Sequence, residues 1–175
     1  MQRPQLEHII RAAAGITGAP EFVIIGSQAV LGQFPDAPAE LLVSIEADVF
    51  TLRDPSDADL IEGSIGEGSP FHRTFGYYAH GVAVDTAFLP ADWRERLVPV
   101  RNNNTGGGTG LCLEIHDLAV SKLVAGREKD LEFVAGLFRH NLARVEAVRE
   151  RLAATPVNGT RRQLCLERLK RLLGP

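Results

Sequence analysis

Phe22-Val23-Ile24-Ile25-Gly26-Ser27 opens, and Ser44-Ile45-Glu46-Ala47-Asp48-Val49-Phe50 closes, the stretch that decides the fold. Phe22–Ile25 is apolar, mostly β-branched and too short for a helix, so it reads as a buried strand. Gly26-Ser27 then turns the chain into a short helix through Leu31, which Gly32, Pro35 and Pro38 stop. Leu41 to Phe50 reads as a second strand. Side chains alternate across a strand, so Glu46 and Asp48 share one face while Ile45, Ala47 and Val49 take the other. Two carboxylates on one face beside a small-residue helix start can hold Mg²⁺ and a triphosphate, with Gly26 and Ser27 offering backbone N–H groups to phosphate. Each half alone fits a plainer reading: an ordinary strand-to-helix turn capped by Ser27, and a strand end that exposes its acids.

Working outward, Pro4 to Ile16 has Leu6, Ile9, Ile10 and Ala13 on one face with proline at its start, and reads as a helix ended by Gly15, Gly18 and Pro20. Ser56 is a plausible N-cap for a helix carrying Ala58, Leu60, Ile61 and Ile65, with Asp57 and Asp59 in its first turn. Ser69-Pro70 leads into the aromatic cluster Phe71, Phe75, Tyr77 and Tyr78. Val82 to Leu89 reads as a third strand, ended by Pro90. Val98–Arg101 and Leu111–Ile115 are strand-like and flank Asn102-Asn103-Asn104-Thr105-Gly106-Gly107-Gly108, a hairpin-type loop expected to be mobile. That loop lacks the Gly-Lys-Ser/Thr ending of a P-loop and leads into a strand, so it is no phosphate-binding loop. From His116 the chain is helical, at about 117–125, 128–139, 142–153 and 161–173. The expected fold is α/β (α+β): a small mixed β-sheet flanked by helices, organised as an αβ core over 1–115 and a helical region over 116–175 packed on it.

The 175 residues carry a net charge of −3, which hides an asymmetry: 7 Lys/Arg against 16 Asp/Glu through residue 119, and 12 against 6 thereafter. An acidic front half suits a metal, and a basic second half suits phosphates or RNA, although amphipathic surface helices give the same bias. Apolar content of 45% is a globular value, and no apolar run is long enough to span a membrane. Met1–Gln5 lacks the apolar centre of a signal peptide. Cys112 and Cys165 match no metal spacing and are expected to be buried thiols in a reducing compartment, with the cytoplasm as the expected location.

Further chemistry lies downstream. Asp85 sits inside the apolar run Val82–Leu89, where a lone acid is costly unless paired or bound to a cation; it is a candidate third metal carboxylate and general base, or a strand-end residue needing neither role. Lys122 lies on a mostly apolar helix, so its ammonium must reach a partner or the surface. Arg127 and Lys129 follow a glycine break at Gly126 and can turn to the same place, so the three can clamp phosphates or simply be solvated. Asp117 and Asp130 also suit helix starts.

Gly-Ser after a strand, Glu46-x-Asp48 on the next strand, a later acid and a helical Lys…Arg-x-Lys-Asp segment together resemble the nucleotidyltransferase superfamily. The block Asp117-Leu-Ala-Val-Ser-Lys-Leu-Val-Ala-Gly-Arg-Glu-Lys-Asp130 resembles the C-terminal motif of the abortive-infection toxin branch, and Gly26-Ser27-Gln28-Ala29 with Ser44–Asp48 resembles an uncharacterised subgroup. The resemblance covers about residues 20–140. It implies a minimal nucleotidyltransferase fold that transfers NMP from an NTP with release of pyrophosphate. Glu46, Asp48 and Asp85 would hold Mg²⁺ or Mn²⁺, Ser27 would contact the triphosphate, and Lys122 with Asp130 would help bind nucleotide. The implied acceptor is RNA, tRNA or a protein side chain, in a toxin–antitoxin or phage-defence setting with an antitoxin as partner. The usual first acid is Asp, and here it is Glu46. The Ser27–Glu46 gap is long, and Asp85 is assigned by position only. A nucleotide-, RNA- or protein-binding module of the same fold without chemistry is the alternative.

Overall fold

A central strand buried on both faces beside one with alternating burial explains most of the architecture. The computed structural model describes residues 1–174. In chain order they form α1 (Arg3–Thr17), β1 (Glu21–Ile24), α2 (Val30–Gln33), β2 (Glu46–Phe50), α3 (Asp57–Ile65), α4 (Pro70–Phe75), β3 (Tyr78–Gly81), β4 (Val98–Val100), β5 (Thr109–Cys112), α5 (Ile115–Ala125), α6 (Glu128–Arg139), α7 (Val145–Ala153) and α8 (Gly159–Leu173). The sheet order is β3-β2-β1-β5-β4, with β1 antiparallel to β2 and parallel to β5, β3 parallel to β2, and β4 antiparallel to β5. This is the mixed α/β fold expected from the sequence.

Central β1 is buried on both faces, as its unbroken apolar run requires. Phe22 and Ile24 join the main core with Leu6, Ile9 and Ile10 of α1, while Val23 and Ile25 join a smaller cluster with Phe50 and Val82. Each such side chain contributes about 1.5–3 kcal/mol by leaving water. The main core also takes in Leu118 and Leu123 of α5 and Leu137 of α6, so the helical second half packs on the same hydrophobic centre as the sheet. Cys112 and Cys165 are free and buried, as anticipated.

Three local expectations are corrected. The second strand begins at Glu46 rather than Leu41, because Pro38 leads into a 3-10 turn over Ala39–Leu41. The third strand is Tyr78–Gly81, and the run Val82–Leu89 is not a strand: residues Val84–Thr86 form a 3-10 turn. The cause is the lack of a partner. β3 is an edge strand, and β2, its one neighbour, ends at Phe50, so the ladder finishes with the Val82 N–H donating to Val49 O. The Asn/Gly loop, expected to be mobile, is tied down instead. Asn102 and Asn104 donate their side-chain amides to the two carboxylate oxygens of Glu7, at 2.8 and 2.9 Å, and Arg11 of α1 donates to Asn104 O.

Candidate active site

The site starts from the β1–β2 register. The Ile25 N–H donates to Asp48 O, which brings the end of β1 beside the second acid of β2. Gly26 follows, and a Cβ at this position would lie 2.0 Å from Asp48 Oδ2. Its φ of −71° is open to any residue, so glycine is needed here for room rather than for backbone freedom. Ser27 then begins a single 3-10 turn, Ser27–Ala29, that runs into the four-residue α2. The helix expected after Gly-Ser is thus very short, and its dipole is correspondingly small.

Alternation on β2 does what the sequence demanded. Ala47 and Val49 enter the main core, and Glu46 and Asp48 take the opposite face. The parallel neighbour β3 mirrors them: Tyr78 is the register partner of Glu46 and His80 that of Asp48. The Tyr78 hydroxyl donates to Glu46 Oε2 at 2.9 Å, and His80 Nδ1 lies 3.3 Å from Asp48 Oδ1. Burial first, and the neighbouring Glu46 charge second, push the Asp48 carboxyl above its ordinary value; His80 and Lys122 act in the opposite sense.

The opposite wall of the cleft comes from α5 and α6. The Lys122 ammonium donates to Asp130 Oδ1 at 3.0 Å, and the Arg127 Nε donates to Asp130 Oδ2 at 2.7 Å. Asp130 is wholly buried, Lys122 is 14% exposed and Arg127 is 62% exposed. Burial disfavours the Asp130 carboxylate, but the Arg127 hydrogen bond and the Lys122 charge outweigh it and hold the carboxyl below its usual value. Lys129 is exposed at the rim, and no ion pair holds it among the described residues. Ser27, Glu46, Asp48, Lys122, Arg127, Lys129 and Asp130 all line one cleft of about 820 Å³.

Asp85 is not among those lining residues. It lies exposed on the 3-10 turn Val84–Thr86, and Thr86 takes the cleft-lining position. Among the described residues, no group of three or more His, Cys, Asp or Glu side chains forms a metal-ligand cluster, so the three-carboxylate site expected on strands is not assembled. Asp117, the head of the helical motif, is also elsewhere. It is fully buried and gripped by Arg96 at 2.9 Å and Arg151 at 3.3 Å, which ties α5 to the 93–96 turn and to α7. Sequence reasoning missed His80, which lines the cleft, and Tyr78, which does not line it but donates to Glu46. Their spacing repeats that of Glu46 and Asp48 on the neighbouring strand, a signal hidden once that strand was placed at Val82.

A family model described as "Nucleotidyltransferase of unknown function (DUF6036)" matches residues 5–157. The chain belongs to this family. The match spans both walls of the cleft and most of the chain, which places the protein in the nucleotidyltransferase superfamily. No curated protein and no solved structure matches it significantly. No helix among the described residues is long and apolar enough to cross a membrane.

The donor set at this site suits a divalent ion of the kind such enzymes use. Mg²⁺ and Mn²⁺ take hard oxygen ligands, and Mg²⁺ commonly keeps only one or two protein carboxylates, sharing the rest of its shell with substrate phosphates and water. Glu46 and Asp48 share a face, and the Glu46 charge disfavours ionisation of Asp48, a repulsion that a cation would relieve.

Proposed function

We propose that this family member is a metal-dependent nucleotidyltransferase that moves an NMP from an NTP to an acceptor hydroxyl and releases pyrophosphate. One observation carries the reading: two carboxylates on β2 and the cations Lys122, Arg127 and Lys129 line the same cleft. Transfer forms a bond from the acceptor oxygen to the α-phosphorus and breaks the bond to the bridging oxygen. The electron pair leaves with pyrophosphate and the acceptor's proton passes to solvent. Negative charge therefore grows on the leaving group, and the cleft-lining cations Arg127, Lys129 and Lys122 would meet it. Ser27 lines the cleft and Gly26, though not a lining residue, abuts Asp48; the triphosphate would be met by Ser27. Glu46 and Asp48 would hold Mg²⁺ or Mn²⁺, which would supply charge neutralisation at the reacting phosphate.

The acceptor in this reading is tRNA, another RNA or a protein side chain. The resemblance of the Asp117–Asp130 segment to abortive-infection toxins supports a place in that branch, paired with an antitoxin in phage defence. The test is to incubate the full chain with each labelled NTP, Mg²⁺ or Mn²⁺, and pools of tRNA and protein, following label transfer and pyrophosphate. Glu46→Ala and Asp48→Ala should each lower transfer by about 10²-fold or more, while Asp85→Asn stays within about twofold because that residue is outside the cleft. Full activity in either alanine variant would sink the assignment.

A second reading, a nucleotide-, RNA- or partner-binding module without chemistry, is favoured by the missing third acid. Calorimetry separates the two. Metal-independent NTP binding with no pyrophosphate release would support the module.

A further inference from the structure

Glu46 stands where this superfamily's pattern has an aspartate, and its longer side chain has one more torsion to order before it can act as a ligand. The structure supplies an anchor for it. Tyr78 lies directly opposite Glu46 in the parallel β2–β3 register, on the same face of the sheet. Its hydroxyl donates to Glu46 Oε2 at 2.9 Å, and no hydrogen bond to Oε1 is found among the described residues. The Tyr78 ring itself is held: the residue is 8% exposed, and the His72 ring packs 4.6 Å from it, centroid to centroid. A carboxylate oxygen can only accept, so in this contact the Tyr78 phenol is the donor.

We propose that Tyr78 is a positioning residue for the divalent cation: it fixes one oxygen of Glu46 so that the other faces the cleft, compensating for the extra methylene. The proposal rests on the metal-dependent reading above. An aspartate at position 46 is too short to keep the same contact with the Tyr78 hydroxyl, so the two positions act as a pair.

The experiment titrates the full chain with MnCl₂ alone and follows free Mn²⁺ by electron paramagnetic resonance, so no turnover is needed. Tyr78→Phe should weaken Mn²⁺ binding about tenfold or more, the usual effect of removing a group that orients a ligand. In a Glu46→Asp background the same Tyr78→Phe change should have little further effect, because the coupling is already lost. Thermal unfolding run in parallel should show both Phe variants folded at the assay temperature, since the change removes one oxygen. Wild-type affinity in Tyr78→Phe, with binding abolished in Glu46→Ala, would overturn the positioning role and leave the metal site standing. An equal tenfold loss in the Glu46→Asp background would also overturn it. Equal binding by wild type and Glu46→Ala would overturn the metal reading, and this proposal with it.

Discussion

Gly26 shows how much of this site rests on single residues. A methyl group there would meet the Asp48 carboxylate at 2.0 Å from Oδ2 and 2.9 Å from Cγ, while the backbone angles suit alanine. Gly26→Ala should therefore displace Asp48 rather than distort the turn. We expect transfer activity to fall about 10²-fold, as for a misplacement of about 1 Å in a reacting site, with stability lowered by about 1–3 kcal/mol. Parallel activity and urea-unfolding measurements separate the two effects; unchanged activity would show that the contact does not matter. The sequence offered Gly26 only as a phosphate-facing turn residue. Its closeness to Asp48 depends on the antiparallel β1–β2 register, which pairs Ile24 with Val49 and cannot be read from either strand alone. By contrast, the shared face of Glu46 and Asp48 follows from strand alternation and was legible from the start.

At the scale of elements, α5 and α6 are joined at the cleft by one buried carboxylate. Removing Asp130 would leave Lys122, only 14% exposed, without its partner. Breaking a buried pair from one side costs about 3–5 kcal/mol, so Asp130→Ala should be strongly destabilised in chemical denaturation. Because the folded Asp130 carboxyl lies below its ordinary value, its contribution is present above the unfolded pKa and is lost as pH falls through the folded one. The stability gap between wild type and Asp130→Ala should accordingly narrow in acid, and a gap independent of pH would contradict the pairing. The break at Gly126, in the left-handed region at φ 66°, and the helices on either side were legible from periodicity. The strand at Tyr78–Gly81 was not. Val82–Leu89 has more strand-like residues, but a strand needs a neighbour, and β2 stops too soon to provide one.

For the molecule as a whole, the charge asymmetry between the two parts of the chain becomes a difference between the walls of one cleft: Glu46 and Asp48 on β2, and Lys122 of α5, Lys129 of α6 and Arg127 at the junction between those helices. The acidic wall sets the pH response. Asp48 has a raised carboxyl, so in the folded protein it binds a proton more readily than in the unfolded chain. Its stabilising contribution is thus complete below the unfolded pKa and disappears as pH rises through the folded one. Asp48→Asn should therefore raise the melting temperature of the metal-free protein at neutral pH while lowering transfer by about 10²-fold or more. A lower melting temperature in Asp48→Asn at pH 7 would contradict this.

The parallel pairing of β1 with β5 sets the order in which these walls can be built during synthesis. Glu21 to Ile24 must wait for Thr109 to Cys112 before one edge of the central strand is covered. Until then the chain already carries both carboxylates of β2, yet β1 remains an apolar edge open to pairing with other chains. A nascent chain that stalls before β5 would thus display the acidic half of the cleft beside an aggregation-prone strand. Completion of the acidic wall's support and arrival of the basic wall follow one after the other, because α5 begins at Ile115, directly behind β5.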